Sequence, residues 1–183
     1  MSTAVMTGQI PRLSPGARIA GLFYLLTFVT GGTALFVGGR LGVALIFMAS
    51  ACYVAVTLLF YYLFKPVNRS LSLLAASLSL AGCAIGPVTS KISPLVFFGF
   101  YCLLIGYLIF KSSFLPRLLG VLMAIAGLGW LTFLWPPLAN YLSPYIFVPG
   151  IVGEGSLTVW LLVMGVSERW KTGNMHRGSS IAA

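Results

Sequence analysis

Six predominantly apolar runs occupy almost the whole chain, each near the ~20 residues that an α-helix needs to cross a hydrocarbon layer. They fall at 18–37, 41–64, 71–89, 93–110, 118–135 and 145–166. Short turns of Gly, Pro and isolated basic residues separate them. Each run is apolar all round rather than along one stripe, as in helices that face both lipid and one another. None shows the alternating segments of a membrane β-barrel. In hydrocarbon every backbone N–H and C=O must be paired internally, which leaves helices. The expected fold is therefore all-α, a polytopic transmembrane bundle of six spans. A loose polar tail at 1–16 precedes a membrane domain at 17–166, and a basic tail at 167–183 follows.

Composition says why water is the wrong solvent. Only 7% of the 183 residues are charged and the mean hydropathy is +1.02. A soluble domain carries about 25% charged residues. The net charge of +9 is not a nucleic-acid signature, because the basic residues sit singly or in pairs between apolar runs. The expected partner is the lipid bilayer, with a homo-oligomer or another membrane protein as further candidates and no nucleic acid. The basic residues also set the orientation, since Lys and Arg concentrate on the cytoplasmic side. With the N-terminus inside, inner segments hold Arg12, Arg18, Lys65, Arg69, Lys111, Arg117, Arg169, Lys171 and Arg177, while outer turns hold only Arg40 and Lys91. Both ends are thus expected in the cytoplasm, and the localisation is a cell (inner or plasma) membrane, multi-pass. Trp130, Trp135, Tyr141 and Tyr145 would form an aromatic belt at the outer interface, with Trp170 at the inner one. The first run is longer than the ~7–15 residues of a signal-peptide core and reads as a retained span.

Local signals agree with these boundaries. Gly38 and Gly39 permit the positive φ that a tight turn between the first two runs requires. Pro66 stops the second run and Ser70 can cap the third. Pro136 and Pro137 end the fifth. Cys52, Cys83 and Cys102 lie inside apolar runs and read as small hydrophobes. Their odd number and lack of CxxC spacing speak against a disulfide framework or zinc site. The single His176 lies in the tail, so no metal or cofactor is expected. A weak internal repeat relates runs two and three to runs four and five. Leu73-Leu74 and Ala81-Gly82 match Leu118-Leu119 and Ala126-Gly127, and Tyr61, Phe64 and Lys65 match Tyr107, Phe110 and Lys111. Chance similarity between Leu/Ala-rich helices is the other source of such a match.

Four stretches carry a resemblance: RIAGLFYLLTFVTGG, FKPVNRSLSLLAASLSLAGCAIG, LVFFGFYCLLIGYLIFKSSFLPRLLGVLMAIAGLGWLTFL and SPYIFVPGIVGEGSLTVWLLVMGV. Together they resemble the family catalogued as domain of unknown function 4386, over nearly all of 17–170. The resemblance implies a prokaryotic integral membrane protein of an uncharacterised family and supplies neither reaction nor ligand. The chain also departs from it. Family members carry longer segments between spans one and two and between three and four, with a histidine-containing stretch similar to LHAQGYN before the LVFFG motif. Here Ser90-Lys91-Ile92-Ser93-Pro94 leads directly into that motif.

Glu154 is the most informative position. It lies about 9 residues into the sixth run, roughly 13 Å deep at helical rise. An acid there costs about 2–3 kcal/mol on insertion scales, so it is expected to face the bundle interior with a partner. One reading is a proton- or cation-binding carboxylate. The other is a structural carboxylate tied to Arg40 or Lys91 snorkelling from the outer turns, or a protonated acid bonded to a neighbouring helix. Thr30, Thr33, Ser50 and Ser156 lie in the same half of the bilayer and could join Glu154 in a polar layer, although Ser and Thr more often bond their own helix. Gly82 and Gly86 form a GxxxG pair, and Gly31-Gly32 and Gly153/Gly155 would also allow close packing. Alternatively, Pro149, Gly150, Gly153 and Gly155 break the helix beside Glu154, as in transporters. Two functional classes follow: small-solute or proton-linked transport or permeation, and a non-catalytic accessory or scaffold subunit packed against another membrane protein. An enzyme ranks below both, since one acid without Asp or a usable His gives no catalytic set.

Overall fold

The computed structural model describes residues 15–85 and 93–165. These residues form helices and connecting turns and no strands. Helix α1 spans Pro15–Ala34. Its hydroxyls satisfy themselves: Thr27, Thr30 and Thr33 donate to the carbonyls of Phe23, Leu26 and Val29 at 3.0, 2.7 and 2.6 Å. Gly39, at φ 68°, makes the expected glycine turn into α2, which spans Gly39–Phe64. The chain leaves the helix at Pro66, and α3 spans Arg69–Ile85. Asn68, rather than the expected Ser70, caps α3: its Oδ1 accepts the Leu71 N–H at 3.0 Å, the spacing of an N-cap to the third helical residue. The end of the third run, with Gly86 and Lys91, lies outside the described residues, as do both tails with Trp170 and His176.

Helix α4 spans Leu95–Lys111 and α5 spans Arg117–Leu131, extended by a 3-10 turn over Thr132–Leu134. Pro136 and Pro137 end that segment as expected, yet the following stretch is not a loop. They sit in the first turn of a short helix α6, Pro136–Leu142, where a missing N–H costs nothing. Helix α7 spans Phe147–Val163 and is bent by 79° from α6.

The six long helices form a closed ring. Neighbours pack in the order α1, α2, α3, α4, α5, α7, and α7 returns to α1. Short connections make the helices alternate in direction. The start of α1 and the end of α7 therefore share one end of the bundle, and the α1–α2 turn and α6 share the other. Glycines set the closest approach. A Cβ on Gly99 would lie 3.0 Å from the Gly127 carbonyl, and one on Gly106 would lie 2.8 Å from that of Gly120, so α4 and α5 meet backbone to backbone at two points seven residues apart. Between α2 and α3, Thr57 Oγ1 and Ser79 Oγ share a 2.6 Å hydrogen bond. Thr57 gives its own proton to the Tyr53 carbonyl at 2.8 Å, so Ser79 is the donor between the helices.

The half of the bundle nearest the termini is solidly packed by Phe60, Phe64, Ile105, Leu108, Met123, Leu157 and Leu161, all fully buried. The outside is as apolar as the inside: Leu22, Val29, Phe47, Leu128 and Val159 all face outward, more than half exposed. Water tolerates no such continuous surface, whereas hydrocarbon solvates it. By length and composition, Gly16–Ala34, Gly39–Phe64 and Arg117–Leu134 are able to cross a membrane, and α6 with α7 adds a fourth if the bent pair is one span. Helices α3 and α4 are apolar and 17 residues long, about 25 Å of rise and at the lower bound for a span.

Candidate functional site

Glu154 is the only acidic residue among the described residues, and it is 6% exposed. Its helix is continuous through this point, with the Thr158 hydroxyl donating to the Glu154 carbonyl at 2.8 Å. The alternative of a helix break at Pro149, Gly150, Gly153 and Gly155 is therefore overturned, and the close-packing reading of the glycines stands for Gly150 and Gly153. Gly150 and Gly153 act by removing bulk, whereas Gly155 faces open space. A Cβ on Gly153 would press on the Leu122 carbonyl and Ala126 of α5, and one on Gly150 would stand inside the Trp130 indole. Gly150 lies one turn before Glu154 on the same face. The bare turn admits the indole, and the indole reaches the acid.

Three neutral donors from three helices converge on the carboxyl group. Tyr24 Oη of α1 donates to Oε2 at 2.6 Å, and Trp130 Nε1 of α5 donates to Oε1 at 2.7 Å. Cys102 Sγ of α4 lies 3.6 Å from the same Oε1. Trp130 is thus a buried ligand of the acid, not part of an interfacial belt, whereas Trp135, Tyr141 and Tyr145 are well exposed. Glu154 makes no ion pair among the described residues; its hydrogen bonds go to Tyr24, Trp130 and Cys102. Arg40 is exposed in the first turn of α2, and Lys91 lies outside the described residues.

Aromatic rings surround this cluster. Tyr53 of α2 meets Tyr24 edge-on at a centroid distance of 5.6 Å, Phe98 of α4 at 4.8 Å and Tyr101 at 5.9 Å. The Tyr101 hydroxyl is buried with no hydrogen-bond partner among the described residues, and the buried Tyr53 hydroxyl makes no close hydrogen bond there although it lies near Glu154 and Tyr24. Such orphaned groups are uncommon in folded proteins and ask for an explanation.

A cavity of about 210 Å³ reaches the acid, and all six long helices line it: Thr27 of α1, Ser50 and Tyr53 of α2, Cys83 of α3, Phe98 of α4, Trp130 of α5 and Glu154 of α7. Of the residues expected in a polar layer, Ser50 shares this cavity. Thr30 and Thr33 bond their own helix, and Ser156 is half-buried two positions along α7, on a different face. Sequence reasoning missed Tyr24, Tyr53, Tyr101 and Cys102. A signal for the tyrosines existed, because a Tyr far from either end of an apolar run needs a partner for its hydroxyl. A larger depression of about 630 Å³ lies at the opposite end between Pro66, Asn68, Tyr107 and Lys111. It holds no buried ionisable group.

An all-helical bundle with an apolar exterior and one interior acid held by neutral donors has the architecture of a membrane protein. The chain belongs to the family described as domain of unknown function 4386, whose model matches residues 88–165. That match takes in Cys102, Trp130 and Glu154. A relative from Archaeoglobus fulgidus, named only as an uncharacterized protein, is 31% identical in an alignment 135 residues long that covers 66% of this chain and 81% of the relative. No solved structure matches.

Proposed function

We propose that this protein spans the membrane six times, with both termini in the cytoplasm, and moves a small solute in a step linked to protonation of Glu154. The observation that carries this reading is the cavity between the six long helices that reaches a buried carboxyl group. An acid buried for structural reasons alone has no need of a 210 Å³ space beside it. Intramembrane acids facing a cavity mark ion and proton paths in helical membrane proteins. The packed half below the site fits the same reading, since a transporter keeps one side closed while the other is open. The 17-residue helices α3, α4 and α7 then cross at the shortest length that serves, and their neighbours in the ring cover their ends.

Purified protein in liposomes tests the reading. Under an imposed pH gradient the wild type is expected to carry protons, and Glu154→Gln, which keeps size and one acceptor oxygen, is expected to lose most of that flux. Equal flux from both proteins, or none from either, sinks it. The alternative of an accessory or scaffold subunit calls for a dry interior, and the cavity at Glu154 favours transport over it.

A further inference from the structure

We propose that the cavity binds a small organic cation, with an ammonium group held between the Glu154 carboxylate and the rings of Tyr53, Phe98 and Trp130. The inference rests on Glu154 being the working group of the proposed transport site, and it names the class of solute.

Charge is the first argument. The donors at Glu154 are a phenol, an indole and a thiol, all neutral, and no Lys, Arg or His among the described residues pairs with it. An ionised carboxylate offers about four acceptor positions. Tyr24 donates to Oε2, and Trp130 and Cys102 approach Oε1, so every contact to the group comes from a neutral side chain. The acid is oriented by its neighbours without being neutralised by them, which leaves a cation to complete the site.

The walls are the second argument. Tyr53 and Phe98 meet at 63° and form a corner, and Trp130 forms another side of the same cavity. Aromatic rings attract cations through their quadrupole, and cages of such rings recognise quaternary ammonium groups. A hard metal ion needs six or so oxygen ligands. This cavity offers few oxygens beyond Glu154, Tyr53, Ser50 and Thr27, and no cluster of metal-binding side chains exists among the described residues. Tyr53 is part of the cavity wall, so its ring is placed to take part in such a contact.

Size is the third argument. The cavity of about 210 Å³ has room for several waters, and so for an alkylammonium headgroup. A proton and an ammonium group would compete for one carboxylate, which couples the movement of one to that of the other.

Calorimetry on the full chain in detergent, with choline and with its neutral isostere 3,3-dimethylbutan-1-ol, tests this. Choline is expected to bind saturably and at least ~10-fold more tightly than the isostere, because the two differ in charge and hardly in shape. Its affinity should fall as the pH is lowered, when protons compete. Tyr53→Leu should weaken choline several-fold and leave the isostere nearly unchanged. Equal binding of the two ligands, or no saturable choline binding at millimolar concentration, overturns the proposal. The ligand comparison uses the wild type, so it stands even where a variant fails to fold. Glu154-dependent proton flux that persists without choline binding would sink this inference alone, whereas absent flux would sink the transport reading beneath it.

Discussion

Glu154 shows how an acidic side chain is accommodated in an apolar interior without a countercharge. An unpaired carboxylate in a low-dielectric interior is costly, and donors must supply what water no longer does. Here the indole N–H, the phenol O–H and the thiol do so from three different helices. The indole can only donate, so its role at Oε1 is unambiguous. Trp130→Phe keeps a ring over Gly150 and removes that one donor. It should cost about 1–3 kcal/mol of stability, the range for leaving a buried polar group unsatisfied, and should lower the thermal midpoint in detergent. An unchanged midpoint would show that the bond does not hold the acid. At this scale the sequence pointed to Glu154, because one acid in an apolar run stands out. Its partners were illegible. Trp130 lies near the end of its run, where tryptophan usually marks the interface, and nothing local says that it turns inward.

At the scale of the element, glycine spacing decides how closely the helices approach. Gly99 and Gly106 on α4 oppose Gly127 and Gly120 on α5, so each helix rests on the other's carbonyls. Gly106→Ala must push its methyl group against the Gly120 carbonyl, 2.8 Å away, and should destabilise by about 1–3 kcal/mol, as overpacked cores do. Gly155→Ala meets nothing within 4 Å and should be neutral or stabilise by up to about 1 kcal/mol through helix propensity. Thermal unfolding of the two variants side by side checks this, and an equal effect would refute the packing account. The Tyr–Lys pairs matched in the sequence share one local geometry. Lys65 sits over Tyr61 at 6.0 Å and Lys111 over Tyr107 at 5.8 Å, at matching ends of α2 and α4. The matched glycines differ, since Gly127 faces its hairpin partner α4 whereas Gly82 of α3 also faces α4 and not its own partner α2.

The molecule as a whole is a ring of six helices whose hydrophobic exterior leaves its orientation to be set by the loops. In a background with Cys52 and Cys83 replaced by Ala, an impermeant thiol reagent on intact cells should label Phe36→Cys and Tyr141→Cys and leave Ser113→Cys unlabelled. The reverse pattern would invert the proposed topology. The chain's own order of residues determined that it is helical and suited to lipid, because hydropathy and the need to pair every backbone group act locally and leave no other choice. It also located the one interior acid. Only the tertiary structure decided that α7 runs unbroken past that acid and that α6 is a helix rather than a loop. It alone brought Tyr24, Cys102 and Trp130 to one carboxyl group, 130, 52 and 24 residues apart in sequence from it. The physical reason is that all-round apolar helices carry no amphipathic stripe to announce their inward faces. Which side turns to the centre is chosen by the fit of glycines and rings across the ring, and that fit exists only once the helices are packed.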